Sequence, residues 1–328
     1  MRIAIAVSSL TKVQPTWTTA IIAQELVSAG YELYIFEPSN FEIEPSGRLV
    51  ARGISLSETA SGWGERGINP SSISEAMNNR STRRCFIQMK TLDALILRCN
   101  PIGHGLLAFA QRVAMSGVVV VNDPRNLSLV THKSFLSTIS ELPTPRELIS
   151  RDSTACHYFF QDKKAGVVVK PARGSGGVGV SFVKPGDNIG LEKAVDLVLG
   201  IGDGFAVVQE YLKDASRGEK RLFFIGGHLV GAYLRERPPG DFRHNLKIGG
   251  VALGCVLDDS DKQIEAVLSP HLIRAGIWLA GVDVIGQTVI EINTLNPGGL
   301  HHINDKTDGG VTFDVAASIE RWVANRKD

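Results

Sequence analysis

Two acids and an amide stand where the chain is otherwise almost wholly apolar: Asp283 within Gly281-Val282-Asp283-Val284-Ile285, then Glu291 and Asn293 in Val289-Ile290-Glu291-Ile292-Asn293. An unpaired charge inside such strands costs several kcal/mol or is removed by a pKa shift, so a cation is expected to compensate them. A hard divalent metal suits the donor types, because carboxylates and an amide carbonyl are all oxygen ligands. If Gly286, Gln287 and Thr288 form a three-residue hairpin loop, Asp283 lies across from Glu291. Asp283, Glu291 and Asn293 then share one face, and Val282, Val284, Ile290 and Ile292 share the other. A two-residue turn would split the acids between faces. The competing reading is a plain strand with solvated polar ends.

A second group of residues points to phosphate. Val167-Val168-Val169-Lys170-Pro171 reads as a buried strand ending in a lysine, followed by Arg173-Gly174-Ser175-Gly176-Gly177-Val178-Gly179. The ammonium supplies a point charge and the bare glycine backbone supplies N–H donors at close approach. The run is neither a Walker sequence nor a Rossmann fingerprint. A third stretch, Val207-Val208-Gln209-Glu210-Tyr211-Leu212, leaves its strand with main-chain groups free to meet a base edge; alone it would pass as a strand end.

The elements that must carry these residues follow from periodicity and punctuation. A strand over 2–7, a helix over 18–29 and a strand over 31–36 open the chain in β-α-β order, which implies a parallel sheet. Residues 39–84 are poor in long apolar runs and rich in Ser, Gly and Arg, so they read as irregular and partly mobile, with Trp63 as a local anchor. Strands over 92–97 and 118–121 bracket a helix over 103–115; a helix over 131–140 ends at the Pro143-Thr144-Pro145 linker. Beyond the glycine loop come a strand over 180–183, a helix over 189–199, a strand over 205–209 and a hairpin turning at Gly226-Gly227. Helices over 259–276 and 311–325 flank the acidic hairpin.

Composition bounds the function. The 328 residues are 43% hydrophobic and 21% charged, an ordinary soluble mixture. The net charge of +1 gives no reason to expect a nucleic-acid or membrane partner. No apolar run approaches the ~18 residues of a membrane span, and the short N-terminal run is no secretory signal. The four cysteines lack Cys-x-x-Cys spacing, so zinc and redox motifs are absent and a reducing cytoplasm is the expected location. Cys99, without a paired base nearby, reads as packing. Adjacent His301 and His302 diverge and lack a third soft ligand, so they read as solvated surface rather than a metal site.

In this order, strand-Lys-Pro with a glycine loop, Gln-Glu-Tyr-Leu, and Asp…Glu-x-Asn resemble the ATP-grasp superfamily. Val121-Asn122-Asp123-Pro124, Gly218-Glu219-Lys220-Arg221, Asn245-Leu246 with Gly249-Gly250, and Gly281–Gly286 narrow the resemblance to the bacterial glutathione synthetases over nearly the full length. The resemblance implies an α/β chain: an N-terminal parallel-sheet (pre-ATP-grasp) domain over 1–122, then a two-part ATP-grasp fold divided into 123–207 and 208–328. It implies ATP and two Mg2+ ions, small-molecule carboxylate and amine substrates, an acyl-phosphate intermediate and a homo-oligomer, dimer or tetramer.

Residue by residue, it makes Lys133 and Lys170 nucleotide lysines and Gly174, Ser175, Gly176, Gly177 and Val178 part of a lid over the phosphates. Gln209, Glu210, Tyr211 and Leu212 become the adenine hinge, with Glu219 near the ribose. Arg221 stands with Lys170 as catalytic, neutralising the acyl phosphate, and Asp283, Glu291 and Asn293 become metal ligands. Arg98, Arg235 (or Arg237), Asn245, Asn296, Gly298 and Gly299 fall on the substrate side. The family commonly has Arg-Lys-Asp-Pro-Pro where this chain has Arg98-Cys99-Asn100-Pro101-Ile102, and Ser-Pro-Thr where it has Asn296-Pro297-Gly298. A ligase with a different substrate pair, and a non-catalytic nucleotide-binding scaffold, therefore stand as alternatives.

Overall fold

In a computed structural model, which describes residues 1–63, 67–306 and 313–327, the apolar runs of the first hundred residues become the centre of a six-stranded sheet. Its strands are β1 (Arg2–Val7), β2 (Glu32–Ile43), β3 (Leu49–Ser55), β4 (Arg84–Gln88), β5 (Ala94–Arg98) and β6 (Val119–Val121), in the order β4-β3-β2-β1-β5-β6. β1 runs parallel to β2 and β5, and β5 parallel to β6, as the β-α-β opening requires. Helices Thr18–Ser28 and His104–Met115 make crossovers.

Residues 39–84 correct the expectation of irregular chain. They extend β2, add the antiparallel strand β3, and form helices Leu56–Ala60 and Pro70–Asn78. The second of these is capped by a reciprocal box between Asn69 and Ser72. Short strands, one of them interrupted by Arg52 and Gly53, carry too few apolar residues to show periodicity. Residues 64–66 lie outside the described residues. Trp63 packs against the core, as an anchor would.

A second sheet contains β7 (Glu147–Ser150), β8 (Val167–Pro171), β9 (Ser181–Val183) and β10 (Ala206–Glu210), all antiparallel, in the order β7-β10-β8-β9. Helices Ser153–Phe160 and Asn188–Leu199 pack on it. The third sheet contains β11 (Glu219–Ile225), β12 (His228–Glu236), β13 (Val251–Gly254), β14 (Leu279–Ile285) and β15 (Thr288–Asn293), in the order β13-β12-β11-β14-β15. Its β11–β12 hairpin turns at Gly226 and Gly227, both at positive φ (62° and 88°), where a side chain would be strained.

The helix expected over 131–140 is instead a short turn Leu127–Val130 and a 3-10 segment Lys133–Thr138. The final helix is Val315–Lys327; residues 311 and 312, where it was expected to begin, lie outside the described residues.

Candidate active site

The acidic hairpin reaches the expected pairing by an unexpected route. Ile285 pairs with Thr288, so the turn holds two residues, with Gly286 at φ 59° in the position that favours glycine. Val284 then pairs with Val289 but Asp283 with Glu291, which leaves Ile290 as the extra residue of a bulge. The three-residue loop was wrong, and so was Ile290 on the apolar face: Ile290 lines the same cleft as the acids. The bulge shifts β15 by one residue and thereby restores Asp283 opposite Glu291.

Each acid meets cations. Asp283 is buried and accepts from both Arg221 and Arg235, with Arg221 Nη2 to Asp283 Oδ2 at 2.8 Å. Arg235 also pairs with Glu219, and Asn293 Nδ2 donates to Asp283 Oδ2 at 3.0 Å. Burial pushes the Asp283 carboxyl up, but Arg221 and Arg235 outweigh it and hold it below the carboxylate range. The same exchange seen from Arg221 is burial opposing its charge and Asp283 raising it above the ordinary value. Glu291 Oε1 lies 3.1 Å from Lys133 Nζ; burial raises this carboxyl too, yet Lys133 and Lys170 bring it below its usual value.

Across the cleft, Lys170, the penultimate residue of β8, is almost fully buried. Its Nζ donates to Gln209 Oε1 at 3.2 Å and to Ile290 O at 3.3 Å. Burial lowers its pKa, with Glu291 opposing and Lys133 adding to the fall. Gln209 is held from behind: its Nε2 donates to Glu147 Oε2 at 3.0 Å. Within the hinge, the Glu210 and Tyr211 amides are already bonded, to Arg146 O at 2.9 Å and Gly166 O at 3.1 Å. The glycine loop follows, with Gly176, Gly177 and Gly179 at positive φ. Arg243 Nη1 donates to Gly177 O at 3.3 Å. A Cβ on Gly177 would lie 2.6 Å from Asn245 Nδ2, and the residue's φ of 77° favours glycine there.

These residues surround one cleft. Lys133, Lys170, Gly174–Val178, Gln209–Leu212, Glu219, Arg221, Asn245, Asp283, Glu291 and Asn293 all line it. A second cavity adjoins it and shares Gly174, Ser175, Glu291 and Asn293. Its remaining wall is Asn100-Pro101-Ile102, Thr131, Arg173, Ile292, Thr294 and Leu295. Thr294 Oγ1 is buried there and finds no hydrogen-bond partner among the described residues.

The other substrate-side residues behave differently. Arg98 is buried away from both cavities: its Nε donates to Thr19 Oγ1 at 3.1 Å and its Nη2 to Pro297 O at 3.0 Å, while Nη1 has no partner among the described residues. Burial draws this guanidinium down to about 9. Arg235 sits behind the acids rather than on the cleft wall, and Arg237 faces a separate surface cavity. Asn296, Gly298 and Gly299 line neither cavity; Asn296 adopts φ 47°, and a Cβ on Gly299 would strike Tyr233 at 2.7 Å. His301 and His302 are half-buried rather than solvated, because the helix Leu300–Lys306 brings the His302 ring within 5.1 Å of Tyr233. Cys99 is packing: its thiol donates to Ala6 O at 3.4 Å, and burial pushes it up to about 11.

Sequence reasoning missed Glu147, Asn100, Thr131 and Thr294. No motif marks the first of these; the last three follow from the course of loops whose ends alone were legible.

Among the described residues no group of three or more His, Cys, Asp or Glu side chains is arranged for a metal. Two carboxylates and an amide on one face still fit a magnesium ion, which typically takes one or two carboxylates and completes its shell with water and substrate phosphate. The Glu291 side chain is 27% exposed, so a cation can reach it from the cleft.

A sequence profile for the prokaryotic glutathione synthetase ATP-grasp domain matches residues 132–308. The glutathione synthetase of Vibrio cholerae is 28% identical over 298 residues, covering 89% of this chain and 88% of that one. The glutathione synthetase of Synechococcus elongatus is 26% identical over 333 residues, covering 98% and 99%. In fold, the chain is similar to a D-cycloserine synthetase (TM-score 0.66, 14% identity, all of both chains). It is also similar to the D-alanine-D-alanine ligase of Coxiella burnetii (TM-score 0.62, 14% identity, 100% of this chain and 95% of that one).

Proposed function

The chain belongs to the prokaryotic glutathione synthetase ATP-grasp family, and from that premise we propose that it joins γ-glutamylcysteine to glycine, with ATP giving ADP and phosphate. The observation that carries this reading is convergence: Lys133, Lys170, the glycine loop, Arg221 and the Asp283–Glu291 pair line a single cleft.

In this reading the nucleotide lies between the two antiparallel sheets, its phosphates under loop 173–179 and beside Lys133 and Lys170. The substrate carboxylate occupies the adjoining cavity at Thr294 and Asn100. Its oxygen bonds to the γ-phosphorus while the bond to the β–γ bridging oxygen breaks, releasing ADP. The amine nitrogen then bonds to the acyl carbon, the carbon–oxygen bond to phosphate breaks, and the nitrogen loses a proton. Arg221, held in place by Asp283, supplies fixed donors for the acyl phosphate, a role that its planar fork suits. Asp283, Glu291 and Asn293 would hold magnesium, two ions in our reading, whose chemistry is to draw charge from the phosphate oxygens. The glycine loop keeps water from the acyl phosphate by closing over it. We divide the chain into parts over 1–122, 123–207 and 208–328, the first and last sharing a core, and the enzyme works as a cytoplasmic dimer or tetramer. None of the described helices is long and apolar enough to cross a membrane.

The test is ADP release with Mg-ATP across a matrix of carboxylates and amines, γ-glutamylcysteine plus glycine first. Turnover that needs both partners supports the reading, and turnover only with another pair replaces the substrates. That second outcome has an observation in its favour, since Ile102 and Leu295 give the adjoining cavity an aliphatic wall. ATP binding without turnover for any pair would favour a scaffold.

A further inference from the structure

Glu147 has no part in the chemistry above, yet it stands behind the cleft's most buried cation. It is the first residue of β7 and pairs directly across from Gln209 in β10. Between Glu147 and Lys170 lies only the Gln209 side chain, which donates to Glu147 Oε2 at 3.0 Å and accepts from Lys170 Nζ at 3.2 Å. Gln209 and Lys170 are both buried, so neither can turn to water for a replacement.

The chemistry of the three groups sets a direction. A carboxylate only accepts, an ammonium only donates, and an amide does both. With Glu147 on one side and Lys170 on the other, the Gln209 amide must turn its NH2 to Glu147 and its carbonyl to Lys170. The reverse orientation would set N–H against N–H and O against O, leaving buried groups unsatisfied. Lys170 has three N–H bonds; Gln209 and Ile290 O take two, which leaves one for the cleft that Lys170 lines. A neutral amide at 147 would accept from Gln209 more weakly than a carboxylate does, leaving the hold on the Gln209 carbonyl mainly to Lys170 itself.

We propose that Glu147 is a positioning residue which, through the orientation of the Gln209 amide, fixes the direction in which Lys170 offers its remaining proton to a nucleotide phosphate. This rests on the phosphate role given to Lys170 above.

The experiment exchanges the polarity of the relay. Glu147→Gln is isosteric and loosens the hold on the amide by replacing a charged acceptor with a neutral one; ATP affinity by calorimetry, and KM for ATP, should weaken roughly tenfold, with kcat changed less than about threefold. Adding Gln209→Glu puts an acceptor-only group beside Lys170 whichever way it turns, and the new amide at position 147 can donate to it. The double variant should bind ATP within about threefold of the parent, a rescue that a merely structural role for Glu147 would not produce. Parental affinity in Glu147→Gln, or a double variant no tighter than the single one, overturns the proposal. Lys170→Ala separates the two levels. If it keeps full ATP affinity, the phosphate role fails and the relay with it. If it weakens binding while the double variant stays unrescued, the relay alone fails.

Discussion

The wall of the cleft that carries Lys170, Gln209 and the glycine loop encloses an apolar cluster of its own, whereas the wall that carries Arg221 and the acids shares its core with the N-terminal sheet. Cys156, Phe160, Val169, Leu191, Val198 and Val208 pack together around β8 and β10. By contrast, Phe223 and Trp278 merge with Ile3 and Ile5 on one side of the molecule, and Phe224 and Val282 merge with Ala4 and Ala6 on the other. Buried polar bonds reinforce that union. Asn122 Nδ2 donates to Leu279 O and Thr294 O, both at 2.8 Å, while its Oδ1 accepts from the Trp278 and Leu279 amides, both at 2.9 Å.

The lysine wall meets the rest through polar contacts such as Lys170 to Ile290 O and Arg243 to Gly177 O, at 3.3 Å each, and through the Phe182 and Phe242 rings. Ordering of this kind would let the lysine wall move as a body against the acids, which is the motion that closure in the proposed mechanism needs.

The comparison breaks most visibly at Asp283. Asp283→Asn removes the partner of two buried arginines, so turnover should fall on the order of 100-fold and stability by about 3–5 kcal/mol. Lost turnover with an unchanged melting curve would confine Asp283 to metal binding. Leu191→Ala and Leu272→Ala should each cost about 2–5 kcal/mol, but in different places. Hydrogen exchange should quicken only within 147–210 for the first, and in both β5 and β14 for the second; a global response to Leu191→Ala would erase the distinction between the walls.

Lys170→Ala is expected to weaken ATP binding by at least about 1.4 kcal/mol, roughly tenfold, a loss separate from the stability cost of leaving the buried Gln209 carbonyl without its donor. Calorimetry with ATP and a thermal melt decide it. The smallest effect concerns the fixed wall. Asp258 caps the helix Asp259–Arg274 and accepts from Lys220 Nζ at 2.8 Å. Asp258→Ala should therefore cost about 1 kcal/mol. Lys220, then Ser260, hold this carboxyl below its ordinary value. Its stabilisation is complete above its unfolded pKa of about 4 and drains as pH falls below that toward the folded value. Acid melts of Asp258→Ala should show a shallower loss than the parent.

Much of the site was legible because its chemistry contradicts its surroundings: acids in apolar strands, and a lysine ending a valine run before a glycine loop. Pairing of Asp283 with Glu291 followed from the same contradiction. The turn that achieves it did not, since a bulge at Ile290 has no compositional mark and only its consequence, acids on one face, could be reasoned toward. β7 escaped because Glu147-Leu148-Ile149-Ser150 is four half-buried residues behind a proline linker. Glu147 escaped with it: a single glutamate in a short edge strand acquires meaning only when pairing sets it opposite Gln209. The order in 39–84 was hidden in another way, because β3 and β4 draw their stability from neighbouring strands rather than from their own apolar content.

Transfer of oxygen from the carboxylate to phosphate tests the account most directly. With the carboxylate substrate labelled in both oxygens with 18O, turnover through an acyl phosphate must deliver one labelled oxygen to each phosphate released. Mass spectrometry of that phosphate should show a single 18O per molecule. Amide formation with unlabelled phosphate would contradict the account, since the carboxylate would never have been phosphorylated.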